Sequence, residues 1–202
     1  MIEKIGFMGG SFDPIHHGHL IMASLFVEHL GLDFCYFVPA KVSPAKQHTN
    51  AELTAEHRLK MVSLATQGNP KFKLDYFEIK NDSVSYTYLT VQHFKEIHPQ
   101  AQLFMLIGTD QAKAFDSWRN YEFLIDKLEI AIAGRLSNSE SNSRIEEIWK
   151  SRNKCPIFIP TPEIEISSEM LRSRLARGLS IEYYAPREVA EYASKCGIYK
   201  AK

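Results

Sequence analysis

Six short runs rich in aliphatic, aromatic and β-branched residues recur along the chain: KIGFMG, FCYFVP, FKLDYFEI, LFMLIG, LEIAIAG and PIFIP. They read as strands, and helical patterns separate the first four: HLIMASLFVEHLG, closed by a glycine suited to a helix end, TAEHRLKMVSLAT, opened by a threonine cap, and SYTYLTVQHFKEIHP, stopped by a proline. This alternation constrains the chain most. Parallel neighbours cannot be joined by a tight turn and need crossovers, usually helices, so the order predicts an α/β fold around a mostly parallel sheet. Ligands of such sheets collect outside the carboxyl ends of the strands. GGSFDPIHHGHL after the first run and GTDQ after the fourth both fall at that edge.

The segments AKVSPAKQHTNAEL and AGRLSNSESNSR read as loops, the second a mobile one rich in Ser and Asn. From ISSEMLRSRLARG onward the chain turns helical and ends in the amphipathic stretch PREVAEYASKCGIY. A length of 202 residues suits one sizeable core and is short for two independent ones. A single domain over residues 1–202 is therefore expected, with 165–202 as its helical C-terminal part.

Composition narrows the partners. With 24 basic and 24 acidic residues the net charge is +0, so no global field draws in nucleic acid or an anionic membrane, and phosphate recognition must be local. Cys35, Cys155 and Cys196 form an odd set without a CxxC pair, which argues against a disulfide framework or a cysteine zinc site. There is no leader-peptide pattern, and no apolar run approaches the ~20 residues that span a bilayer. A cytoplasmic protein is expected, with self-association into a homo-oligomer left open.

The turn after the first run holds the chemistry. Gly9 and Gly10, where the strand gives way, let backbone N–H groups approach a bulky anion, and Ser11 adds a hydroxyl. The pattern is neither GxxxxGK[ST] nor GxGxxG. His16 and His19, three apart at a helix entrance, bring two imidazoles to one face, with Gly18 leaving space for a flat ring or ribose. His-x-x-His lacks the glutamate and spacing of a zinc-protease helix, so no protein-held metal is expected. Ser167 and Ser168 precede a helical run, where they can cap it or hold phosphate oxygens, and Arg172 follows a turn later. Asp110 at a strand end can meet a ribose hydroxyl, and Trp118 can stack on an aromatic base or simply pack in the core.

GGSFDPIHHGHL, IGTDQAKAFDSW and ISSEMLRSRLARGLSIEYYAPREVAEYASKCGIY together resemble the bacterial nicotinate-nucleotide adenylyltransferases of the HxGH nucleotidyltransferase superfamily. The likeness runs from Lys4 to Tyr199. It implies a Rossmann-like, doubly wound fold and transfer of AMP from ATP to nicotinate mononucleotide, by direct attack without a covalent intermediate, as a step of NAD biosynthesis. It also implies roles: His16, His19 and Arg172 catalytic; Gly9, Gly10, Ser11, Phe12, Gly18, Ser167, Ser168 and Asp110 on ATP; Lys46, Tyr86, Thr87 and Trp118 on the mononucleotide; and Mg²⁺ arriving with ATP. The chain departs from the family pattern at Leu89, where an Asp is common, at Ala45, where a His is usual, and at Glu169, where a Thr often follows the serines. The alternatives are a nicotinamide mononucleotide or phosphopantetheine adenylyltransferase, or a non-catalytic nucleotide-binding module.

Overall fold

The computed structural model describes residues 2–42, 54–81, 84–134, 139–150 and 152–199. Strands β1 (Lys4–Gly10), β2 (Phe34–Pro39), β3 (Phe72–Leu74), β4 (Gln102–Gly108), β5 (Glu129–Ala133) and β6 (Ile157–Ile159) form a sheet in the order β3-β2-β1-β4-β5-β6. That order reverses at β1, the doubly wound arrangement that the family resemblance implies. The pairings β1 with β4, β4 with β5 and β5 with β6 are parallel. Residues 5–8 of β1 and 103–107 of β4 are buried without a break. Strands covered on both faces read as continuous apolar runs for this reason.

The chain falls into two compact units. The first comprises Met1–Gly9, Met22–Tyr36 and Tyr86–Pro162. Its core joins Phe7 and Phe94, whose ring centroids lie 5.2 Å apart, with the buried interiors of β4 and β5. Around these lie most of α1 (His17–Leu30), then α4 (Thr87–Ile97), α5 (Thr109–Lys113), α6 (Tyr121–Lys127) and α7 (Ser139–Lys150). Helix α1 ends as its sequence implies, at Gly31 with φ 61°, where a side chain would be strained.

The second unit comprises Gly10–Ile21, Phe37–Ser85 and Glu163–Lys202. It carries the turn after β1, the helices α2 (Ala55–Thr66) and α3 (Phe77–Lys80), and the C-terminal α8 (Ser168–Ala176) and α9 (Arg187–Lys195). Helix α2 packs on α9, with Met61 and Val62 of one and Val189, Ala190 and Ala193 of the other buried.

Two segments depart from the sequence reading. FKLDYFEI is not one strand: it stops at Leu74, and the Asp75 carboxylate accepts the Phe77 N–H at 2.8 Å to start the short α3. This is the local competition by which Asp favours turns over ladders. AGRLSNSESNSR is not wholly a loop, because α7 begins at Ser139, recruited by Ile145, Ile148 and Trp149, which are buried. Thr54 stands at the N-cap of α2 but makes no side-chain cap bond. Among the described residues no helix is long and apolar enough to cross a membrane.

Candidate active site

The turn Gly10–His16 is the centre of the second unit. Its shape follows from Phe12, whose ring is buried against Phe37 at 5.8 Å and edge-on to His19 at 5.2 Å. Phe12 sits at φ 46°, a conformation bulky residues seldom adopt and one that packing has to hold. A peptide in the cis form joins Asp13 to Pro14.

Four other segments of the unit brace this turn. Arg58 on α2 donates to the carbonyls of Ser11 at 2.7 Å and Lys41 at 3.1 Å. Arg172 on α8 donates to the Asp13 carbonyl at 2.7 Å, and the Ser168 hydroxyl donates to the Pro14 carbonyl at 2.9 Å. Tyr184 accepts the His17 N–H at 2.9 Å, and the Tyr199 hydroxyl donates to the Asp13 carboxylate. Arg58 is only 5% exposed, and burial lowers its pKa, the Asp13 charge opposing that shift. A guanidinium held there with its protons directed at two carbonyls fixes the loop because leaving it unpaired is costly.

His16 and His19 come together as their spacing implies, their rings 3.8 Å apart and tilted by 30°. The His16 backbone N–H donates to His19 Nδ1 at 3.3 Å, so the neutral His19 ring carries its proton on Nε2. Burial, then the neighbouring His17, brings the His16 pKa down to about 4; burial, then His16, brings that of His19 down to about 3. Both rings are neutral near pH 7. His16 Nδ1 is buried and has no hydrogen-bond partner among the described residues.

Gly18 has a definite steric reason. A Cβ there would lie 3.0 Å from His16 Nδ1 and 3.1 Å from its Cε1, with the Ile166 carbonyl 3.7 Å away. The clearance serves the His16 ring and brings the segment leading into α8 against the start of α1. At α8 the Ser167 hydroxyl takes the Met170 N–H at 3.1 Å, so Ser167 is the helix cap. The Ser168 and Glu169 N–H groups remain, as at any helix start, without an intrahelical acceptor. Two helix starts and a guanidinium therefore converge where an anion is favoured. Among the described residues no group of three or more His, Cys, Asp or Glu could hold a metal ion.

Gly9, Asp110, Trp118, Tyr86 and Thr87 belong to the first unit. Gly9 is the penultimate residue of β1, and a Cβ on it would meet nothing within 4 Å. Asp110 is exposed in the first turn of α5, after Gly108. Trp118 is half-buried, its ring 5.0 Å from Phe115, which also touches Trp149 at 5.0 Å, so part of its face belongs to the core. Tyr86 caps α4 and Thr87 begins it; the Arg119 guanidinium covers the Tyr86 ring at 4.9 Å. Lys46 lies outside the described residues. Sequence reasoning missed Arg58, Asp13 and Tyr199. Arg58 alone left a signal, sharing the inward stripe of α2 with Met61 and Val62.

Comparison with known proteins points to one family. The cytidylyltransferase-like family profile matches residues 7–174. A probable nicotinate-nucleotide adenylyltransferase of Rhodopirellula baltica is 36% identical over 98% of this chain and 94% of its own length. A nicotinate-nucleotide adenylyltransferase of Bacillus subtilis is 33% identical over 99% of this chain and 100% of its own. The Plasmodium falciparum nicotinic acid mononucleotide adenylyltransferase complexed with NaAD has the same fold, with a TM-score of 0.76 at 21% identity over 98% of this chain and 97% of that one.

Proposed function

The chain belongs to the cytidylyltransferase-like family and, within it, to the nicotinate-nucleotide adenylyltransferases; on that premise we propose that it transfers AMP from ATP to nicotinate mononucleotide, giving deamido-NAD and pyrophosphate. The observation that carries the reading is the pair of stacked, neutral imidazoles set beside two helix starts and Arg172. Such a constellation suits an anion that gains charge in the transition state and offers no activated nucleophile. The mononucleotide phosphate accordingly attacks the α-phosphorus of ATP in line, and its oxygen replaces the bridging oxygen that leaves with pyrophosphate. The protein supplies position and charge stabilisation.

In this scheme His16 and His19 donate to the α-phosphate oxygens as the pentavalent centre forms. Arg172, Ser167 and Ser168 hold the β- and γ-phosphates. Gly9, Gly10, Ser11, Phe12 and Gly18 line the ATP side, and Asp110 accepts from its ribose. Trp118 stacks on the pyridine ring, the Tyr86–Thr87 backbone meets its carboxylate, and Lys46 meets the mononucleotide. Residues 1–202 serve as one nucleotidyltransferase domain. The absence of a carboxylate or histidine cluster among the described residues does not fit a protein-held ion, and Mg²⁺ enters with ATP, on its phosphates and water. The protein works in the cytoplasm on these two nucleotides.

The test is steady-state kinetics with ATP and, side by side, nicotinate mononucleotide, nicotinamide mononucleotide and phosphopantetheine. The highest kcat/KM is expected with nicotinate mononucleotide. A preference for either of the others overturns the acceptor, and pyrophosphate release with none of them overturns the activity.

A further inference from the structure

Asp13 is the anomaly of this site. A carboxylate stands in a turn otherwise suited to an anion, and it faces Arg172 twice: its carbonyl accepts from Nη1 at 2.7 Å, and Oδ2 lies 3.8 Å from the same nitrogen. An arginine and a carboxylate left to themselves close into a two-pronged, charge-assisted pair. Here they have not. The second carboxylate oxygen, Oδ1, is taken by the Tyr199 hydroxyl. Tyr199 arrives from beyond α9 at φ 65°, a left-handed conformation that a tyrosine holds only where tertiary contacts keep it. Burial, then the Asp13 charge, pushes the hydroxyl pKa upward, so it remains a donor.

We propose that Tyr199 is a positioning residue that occupies Asp13 and keeps Arg172 from closing onto it, so that the guanidinium's remaining donors stay available to a phosphate. Without the hydroxyl the carboxylate rotates to complete the pair, and an incoming triphosphate has to break it. The inference rests on the proposed ATP site but not on which acceptor is used.

ATP affinity by titration calorimetry, with melting curves alongside, separates the outcomes for the parent, Tyr199→Phe and the double variant Tyr199→Phe/Asp13→Asn. Tyr199→Phe is expected to weaken ATP binding about tenfold, the scale of one charge-assisted contact. Adding Asp13→Asn is expected to restore it to within about threefold of the parent, because a neutral amide oxygen attracts the guanidinium far less than a carboxylate does. A hydroxyl that only stiffens the turn gives the opposite, a further loss on adding the second substitution. Parental affinity in Tyr199→Phe, or no recovery in the double variant, overturns the proposal. Should Tyr199→Phe fail to fold, the double variant, in which Arg58 loses a nearby counter-charge but keeps its two carbonyl acceptors, is read against the parent by the same limits. A parent that binds no ATP overturns both this inference and the site it rests on. A parent that binds ATP and adenylylates no pyridine mononucleotide overturns only the function proposed above.

Discussion

Replacing Gly18 by alanine should separate stability from turnover. The added methyl would stand 3.0 Å and 3.1 Å from two atoms of the His16 ring, against an ordinary carbon contact of about 3.5–4.0 Å. The ring therefore has to retreat by about half an ångström. It is 5% exposed and stacked at 3.8 Å on His19, so it cannot move without disturbing that pair. Two effects on stability oppose one another: alanine in place of glycine favours a helix by up to about 1 kcal/mol, while overpacking a tight site costs about 1–3 kcal/mol. The net change is a loss of about 1 kcal/mol, or a few degrees in Tm. Turnover is more sensitive, because a displacement of about 1 Å in a reacting array costs about a hundredfold. Half of that shift predicts a fall in kcat of about tenfold, or 1.4 kcal/mol, with the KM for ATP changed less. The assay is pyrophosphate release under saturating substrates together with a thermal melt. Parental kcat in a folded Gly18→Ala variant would refute the argument that the glycine exists to seat His16.

His16→Ala and His19→Ala should each lower kcat by about a hundredfold or more while ATP binding, read by calorimetry, changes little, because lost transition-state donors act on the chemical step; near-parental turnover in both would remove them from the mechanism. Trp118→Ala should raise the KM for nicotinate mononucleotide, and, because the ring also packs on Phe115, lower Tm; an unchanged KM would leave it a purely structural residue. Both buried histidines have folded pKa values below the usual 6.5, about 4 and about 3, so between those values and 6.5 the unfolded chain binds protons that the fold refuses. Their contribution to stability is complete above pH 6.5 and is lost as pH falls toward 4 and then 3. Urea melts at pH 7 and pH 4.5 should register the loss, and the slope should flatten in His19→Gln; an equally steep profile in that variant would assign the acid sensitivity elsewhere.

The order of elements, the parallel crossovers and the position of the glycine- and histidine-bearing turn after β1 were legible because each is a local matter: periodicity marks strands and helices, and the glycines, histidines and serines lie within short motifs. What went wrong was local as well. One polar side chain, Asp75, cut a strand short, and three apolar residues just beyond a serine-rich stretch recruited its end, from Ser139, into α7.

By itself the sequence determined the α/β alternation, the His16–His19 pairing at the start of a helix and the Ser-Ser-to-Arg172 element, since these depend on residues within a few positions of each other. Only the tertiary structure decided what holds the turn: Arg58 on Ser11, Arg172 on Asp13, Ser168 on Pro14 and Tyr199 on the Asp13 carboxylate, at sequence separations of 47, 159, 154 and 186 residues. It also decided that the histidines are neutral and that Gly18 makes room for His16. Burial and hydrogen-bond partnership are properties of the packed environment, and no local pattern encodes which distant carbonyl a guanidinium will find.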